Sequence, residues 1–412
     1  MGVILNQKKH SKMYKLANNL WQVMNTASDN KRLRVLQAGS VLVMLFLFVL
    51  GGFHISTVPV DSDTYIHAGE RFFAGDIDQA RTPVYPVICH LALCLGNAGM
   101  YLIALLQAVV FILSIKWLYK TAQMIFTEHN VVTFIVVALY AWNIAVVHYV
   151  LMIMTESLSL SCVVLLFMLI VKGIKEKFTV KDALIITSLY VVMLFLRPFF
   201  ICFAPLLVLY FIFARKNFGR GAIATFWAGL AIVGACYVGY CAAFNARYGV
   251  FTTSSVPDIN LNAQLYEAGL LESPIWEADT VVMVRDHALN REVLMANRKA
   301  WFVHMCEESL LSARQLYPKI VLSHGGMMCQ PLSLQISAGM LYLITLAFAI
   351  VTFVRWRWFK ADVRIETLML LSIIVTVVTS VWGAFGIYTR LMLPCYTALC
   401  IVLGYFFARF KV

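Results

Sequence analysis

The sequence predicts an all-α fold, a polytopic transmembrane helical bundle of about ten spans. Three observations predict it. The 412 residues are 61% hydrophobic, with a mean hydropathy of +0.80; soluble domains run roughly 45–50% apolar. Several apolar runs approach the ~20 residues an α-helix needs to cross a bilayer. The short alternating segments of a membrane β-barrel are absent.

The chain opens with a basic segment, 1–34. It is too long and too charged for a cleaved signal peptide. Met13, Leu16, Leu20, Trp21 and Met24 recur at helical spacing. They suit either an amphipathic helix on the cytoplasmic leaflet or a loosely ordered tail. A first bundle, 35–242, follows, with spans near 35–53, 100–118, 131–149, 155–172, 183–197, 198–214 and 221–243. It includes a first outer loop, 54–99, in which 84–97 is apolar but too short to cross and reads as a re-entrant or interfacial helix. A second outer loop, 243–333, comes next. Within it 279–298 carries Val284, Ala288, Leu289, Val293 and Leu294 near a 3.6 period, and the pattern continues through Leu310, Leu311 and Leu316, as for a helical lid. Spans near 336–354, 366–386 and 390–408 close the last region, 334–412.

The net charge of +12 records topology. With the N-terminus inside, most of the Lys and Arg fall on cytoplasmic connections and most of the acids fall outside. Retained positive residues set orientation, so both termini are expected in the cytoplasm. No basic stripe with stacking aromatics argues for a nucleic-acid partner. No P-loop is present and no GxGxxG follows a strand, which argues against nucleotide hydrolysis. No internal repeat points to an inverted-repeat transporter. Most cysteines fall within spans, where Cys acts as a small hydrophobe. Cys306 and Cys329 lie outside, where a disulfide is one option. The long connections share one face, and chemistry is expected there.

Three constellations on that face carry candidate chemistry. Asp61 and Asp63 lie two apart. In an extended or turn segment they point the same way. Close carboxylates push one pKa upward, which suits a general base for a hydroxyl acceptor. The plainer reading is a solvated acidic loop, or Asp63 capping a helix from Tyr65. Next, Pro83 and Pro86 stiffen the backbone around Tyr85 and can hold Arg81 for a phosphate. The alternative is an Arg that snorkels to headgroups. Finally, Glu156, Arg197, Tyr388 and Arg390 sit at the outer ends of separate spans. Charges near membrane depth pair or line polar cavities. Glu156 bracing Arg197 or Arg390 is the structural alternative. Scattered histidines show no HExxH or Cys/His ligand spacing. A divalent cation would need Asp61, Asp63 and a distant His to converge.

Read in order, Asp61-Ser62-Asp63-Thr64-Tyr65, Arg81-Thr82-Pro83-Val84-Tyr85-Pro86, Thr155-Glu156-Ser157, Leu196-Arg197-Pro198 and Arg390-Leu391-Met392-Leu393-Pro394 form a recognisable series. It resembles the GT-C class of integral-membrane glycosyltransferases, including bacterial protein O-mannosyltransferase-like enzymes and lipid A aminoarabinose transferases. The likeness covers most of the chain and is sharpest over 60–87. It implies a bacterial inner-membrane enzyme with its site facing the periplasm. The donor would be a polyprenyl-phosphate sugar, and transfer would invert. The acceptor would be a glycan, lipid or protein hydroxyl. By position Asp61 matches the catalytic acid, the general base, and Asp63 a supporting acid; Arg81, Tyr85, Glu156, Arg197, Tyr388 and Arg390 are the candidates for binding the substrates. No large soluble domain follows the spans, unlike some relatives, so acceptor recognition is expected from the bundle and second loop. A lipid-linked-sugar flippase or transporter would place charges nearer mid-span. A polysaccharide polymerase would rely on basic loop residues, and a scaffold would give no reason for this gathering of charge.

Overall fold

The computed structural model describes residues 26–58, 61–272, 284–321, 326–384, 386 and 388–409. The expected N-terminal amphipathic helix lies outside the described residues. The molecule is a multi-pass helical bundle with, among the described residues, one two-stranded ribbon. Its helices are α1 (Asp29–Leu50), α2 (Asp61–Phe73), α3 (Val84–Leu93), α4 (Ala98–Ile125), α5 (Asn130–Ala141) and α6 (Ile144–Val147). Then come α7 (Glu156–Lys175), α8 (Val180–Leu196), α9 (Ala204–Ala214), α10 (Arg220–Tyr248), α11 (Val256–Glu267) and α12 (Val284–Ala296). The series ends with α13 (Arg298–Ser312), α14 (Gly326–Cys329), α15 (Ala338–Phe359), α16 (Arg364–Trp382), α17 (Tyr388–Leu391) and α18 (Tyr396–Arg409).

Helix ends follow local chemistry. Ser28 caps α1 by accepting from Lys31 N–H. Thr179 and Asp182 form a reciprocal capping box at α8. Gly249 ends α10 in the left-handed region at φ 75°, where a Cβ would be strained. Arg197 precedes Pro198 and is extended, so α8 stops at Leu196.

Among the described residues, seven helical runs, one of them Pro198–Asn217 around α9, are long and apolar enough to span a membrane, by length and composition, against about ten expected from the apolar runs. The run 131–149 is broken. Asn143 accepts from Ala145 N–H and starts a new turn, and the two halves meet at 48°. Counting that pair as one span gives eight. The last run is interrupted at Leu393–Cys395, where Pro394 lacks the N–H that would continue the helix. Helix α8 has only 17 residues, about 25 Å of rise. Cys306 and Cys329 are free thiols, so the disulfide option is not realised.

Helix α7 is the most enclosed of the spans. It packs against α4 and α8. Two devices bring the first loop onto its N-terminal end. Ser56 pairs with Met152, through Ser56 N–H to Leu151 O and Ile153 N–H to Ser56 O. Buried Ser62 donates to Ile153 O at 3.0 Å. Helix α2 lies close on α3 because residue 69 is Gly; a Cβ there would stand 2.5 Å from Pro86 O. Among the described residues the loop after α10 is mostly helical, as its periodicity predicts; the start of the periodic stretch, 279–283, lies outside them. Trp382 Nε1 donates to Ser309 Oγ, and Trp301 meets Trp382 edge-on at 5.8 Å, which seats α13 on the end of α16. The ribbon pairs Leu316 with Ser337 and Tyr317 with Ile336, antiparallel.

Candidate active site

Five charged residues far apart in sequence converge on one cavity of about 480 Å³. Asp61 is the first residue of α2. Its Oδ1 accepts from Arg81 Nη2 and its Oδ2 from Arg390 Nη1, each at 2.7 Å. Glu156, the first residue of α7, is 1% exposed. Its Oε1 lies 3.4 Å from Arg390 Nε and 3.6 Å from Arg197 Nη1. Arg390 thus bridges the two carboxylates through different edges of one guanidinium. Three guanidiniums against two carboxylates leave the lining net positive.

Each group is positioned by its surroundings. Asp78 Oδ1 accepts from Ala80 N–H and Arg81 N–H, which fixes the turn before Arg81. Arg81 Nε then donates to Thr64 Oγ1 at 2.9 Å, and its guanidinium lies 4.2 Å from the Tyr65 ring centroid. Such a cation–π contact gains strength when partly desolvated. Burial raises the Asp61 carboxyl, but the Arg390 and Arg81 charges outweigh it and hold it below the ordinary carboxylate value. Asp61 is therefore ionised at neutral pH.

Glu156 Oε2, Arg197 Nη1 and Arg390 Nε are buried and without a hydrogen-bond partner among the described residues. Buried polar atoms in this condition call for an external partner. The rest of the wall divides in two. Leu196, Pro198, Phe199, Ile201 and Leu391 make an apolar side; Thr252, Thr253, Ser254 and Asn260 from the second long loop make a polar one. The arrangement can hold an anion against the guanidiniums, an apolar chain against the 196–201 segment at the end of α8, and a hydroxylated group near Asp61. A second cavity of about 480 Å³ lies at the other end of α16, beside Arg364 and Asp362. It carries no comparable convergence of charge.

The structure does not pair the two aspartates. Residues 61–73 are helical, not extended, so positions two apart point to different sides. Asp63 is exposed and does not line the cavity. Nor does Asp63 begin a helix at Tyr65, since α2 already starts at Asp61. Tyr85 and Tyr388 also stand back from the cavity. Tyr85 is fully buried, meets Tyr65 edge-on at 5.0 Å, and donates to Gln107 Oε1. It props the ring beneath Arg81. Tyr388 donates to Glu308 Oε2 at 2.6 Å and anchors α17 to α13. The sequence marks Thr252-Thr253-Ser254 only as part of a turn and gives Thr64 no role of its own. Their spacing to Asp61 and Arg81 carries no signal; only the fold makes them neighbours. His148 is buried with Nε2 against Val321 O, away from the cavity, and His324 lies outside the described residues.

No family model and no curated protein sequence matches this chain. Solved structures do. The Archaeoglobus fulgidus oligosaccharyltransferase, tethered by a disulfide to an acceptor peptide with an NVT sequon, matches with a TM-score of 0.51 and 14% identity, over 91% of this chain and 50% of that one. Its apo form matches with a TM-score of 0.48 and 13% identity, over 89% and 50%. The first likeness is one of fold, and this chain spans about half the length of that protein.

Proposed function

We propose that this chain is an integral-membrane glycosyltransferase of the GT-C type. It transfers a sugar, hexosyl or pentosyl, from a polyprenyl-phosphate donor to a hydroxyl acceptor, on the periplasmic face of a bacterial inner membrane. The observation that carries the reading is the ionised Asp61 held between Arg81 and Arg390 on a positive cavity with one apolar wall. The archaeal fold neighbour, an oligosaccharyltransferase, supports it.

The chemistry follows from the groups present. The prenyl tail lies along the apolar wall beside α8. Arg81, Arg197 and Arg390 face the phosphate, which gathers charge as the bond from the anomeric carbon to the phosphate oxygen breaks. Preorganised cations at such a point are a large source of rate. The acceptor oxygen attacks the opposite face of the anomeric carbon, and its proton passes to Asp61. One bond forms, one breaks, and configuration inverts. The donor is already activated, so no nucleotide is consumed. In the resting arrangement the two arginines make Asp61 a weak base. An arriving phosphate competes for both guanidiniums, so donor binding itself raises the basicity of Asp61 toward the useful range. The acceptor is a glycan, a lipid or a protein; the peptide tethered in the archaeal structure favours including peptides among the acceptors tried.

The direct test incubates purified protein with a panel of polyprenyl-phosphate sugars and acceptors and measures free prenyl phosphate. Turnover of at least one donor, lost in Asp61→Asn, is expected. A flippase or a scaffold releases no prenyl phosphate from any donor, and that result would sink the proposal.

A further inference from the structure

We propose that Glu267, His304 and Glu308 form a site for a divalent transition metal of the zinc type, which clasps the second long loop to the segment carrying Arg390. One ligand atom from each of the three residues lies within 4.8 Å of the other two. His304 and Glu308 are four apart on α13 and so share one helix face. Glu267 is the last residue of α11 and approaches from a separate helix. None of the three lines the cavity that holds Asp61.

Independent observations point to a cation. The two carboxylates stand close together, yet among the described residues neither forms an ion pair with Lys or Arg. His304 Nε2 is buried and has no hydrogen-bond partner among the described residues. Glu308 is already oriented, because Tyr388 Oη donates to its Oε2 at 2.6 Å. Outer hydrogen bonds of that kind set the direction of metal-binding carboxylates. Zn–N and Zn–O bonds of about 2.0–2.2 Å put tetrahedral neighbours about 3.5 Å apart, so the group needs to tighten by only about an ångström. One imidazole with two carboxylates suits zinc or manganese better than the all-oxygen sets of calcium and magnesium. A doubly charged cation also neutralises the pair, and water completes the coordination.

The consequence is mechanical. Helix α11 places Val256, Pro257 and Asn260 on the cavity wall. Glu308 reaches α17, and hence Arg390, through Tyr388. An ion joining Glu267 to Glu308 fixes these two walls relative to each other. The metal site is independent of the proposed transferase reaction.

The test uses the full chain purified in detergent and stripped with EDTA. Zinc is added, excess is removed by desalting, and bound metal is measured by elemental analysis alongside the melting midpoint. One zinc per chain and a raised midpoint are expected, since a ligand held by the native state stabilises it. His304→Ala and Glu267→Gln should each weaken retention by at least about tenfold. Glu267 is exposed, so its variant keeps the fold. Cobalt in the same place should give ligand-field bands without a thiolate charge-transfer band. No stoichiometric zinc would overturn the proposal. So would zinc retained equally by both variants, which would assign it to exposed thiols such as Cys94 and Cys236.

Discussion

Arg390 Nη1 donates to Asp61 Oδ2 at 2.7 Å across 329 positions of sequence. The contact joins the first inter-span loop to the start of the last apolar segment. It also places Arg390 between Asp61 and Glu156, so a single side chain organises both acids of the cavity.

That bridging geometry makes Arg390 hard to replace. Arg390→Ala should lower kcat/KM for the donor by roughly 10²–10³-fold, in line with loss of one charge-stabilising donor. Arg390→Lys should rescue little, because an ammonium is a point charge and does not present two edges to two carboxylates. Kinetics with donor and acceptor varied separately check this. An equal loss for both substrates argues against a phosphate contact.

Asp61→Asn keeps the shape and removes the proposed proton acceptor. Transfer should fall by about 10²–10⁴-fold, the usual span for a general base. Donor affinity, read by calorimetry, should hold or rise, because the phosphate no longer competes with a carboxylate for Arg81 and Arg390. If donor affinity collapses instead, Asp61 serves chiefly to place its two arginines.

The pH dependence has a defined sign. Asp61 has a folded pKa below its unfolded value, because Arg390 and Arg81 outweigh the effect of burial. Its contribution to stability is present above the unfolded value and is lost as pH falls through the folded one. The acid limb of kcat/KM, which reports the free enzyme, should therefore lie below the ordinary carboxylate value. The acid limb of kcat should lie higher, since bound donor has drawn the arginines away. Coincident limbs would show that the clamp does not open.

Glu156→Gln leaves two guanidiniums facing each other at a position that is 1% exposed. Removing one partner from a buried ionic group typically costs about 3 kcal/mol or more. A lowered melting midpoint in detergent is the expected readout. An unchanged midpoint would mean that water already satisfies the arginines.

Gly69→Ala tests the contact that sets α2 on α3. The new Cβ would meet Pro86 O at 2.5 Å and His90 Cβ at 2.8 Å. The first neighbour is backbone and cannot rotate away. Overpacking of this kind costs about 1–3 kcal/mol. Asp61 rides on α2, so turnover should fall together with stability. A variant with wild-type melting and activity would show that the two helices separate freely.

Much of the membrane architecture was legible in the chain. Apolar runs located α1, α4, α7, α10, α15 and α16 within a few residues, because burying backbone polar groups in lipid demands helices of bilayer length. The interruptions were written too, in Asn143 and Pro394, but an isolated polar residue or proline in an apolar run reads equally well as a tolerated guest. Glu156, Arg197 and Arg390 stood out as charges at the ends of spans, and Asp61 and Arg81 as charges in the first outer loop. Asp63 was misleading because the conformation of its segment is decided by docking against α3 and the 152–155 stretch. Local spacing alone left an extended reading open.

Sequence by itself determined that this is a helical membrane protein with its costly charges kept at the ends of its spans, since hydrocarbon excludes unpaired polar groups wherever they occur along the chain. Tertiary structure alone decided which of those charges meet. One carboxylate was chosen over its neighbour, Tyr85 and Tyr388 became supports, and Glu267 was brought beside His304 and Glu308. Contacts between groups hundreds of residues apart depend on how the helices pack, and no local pattern encodes that distance.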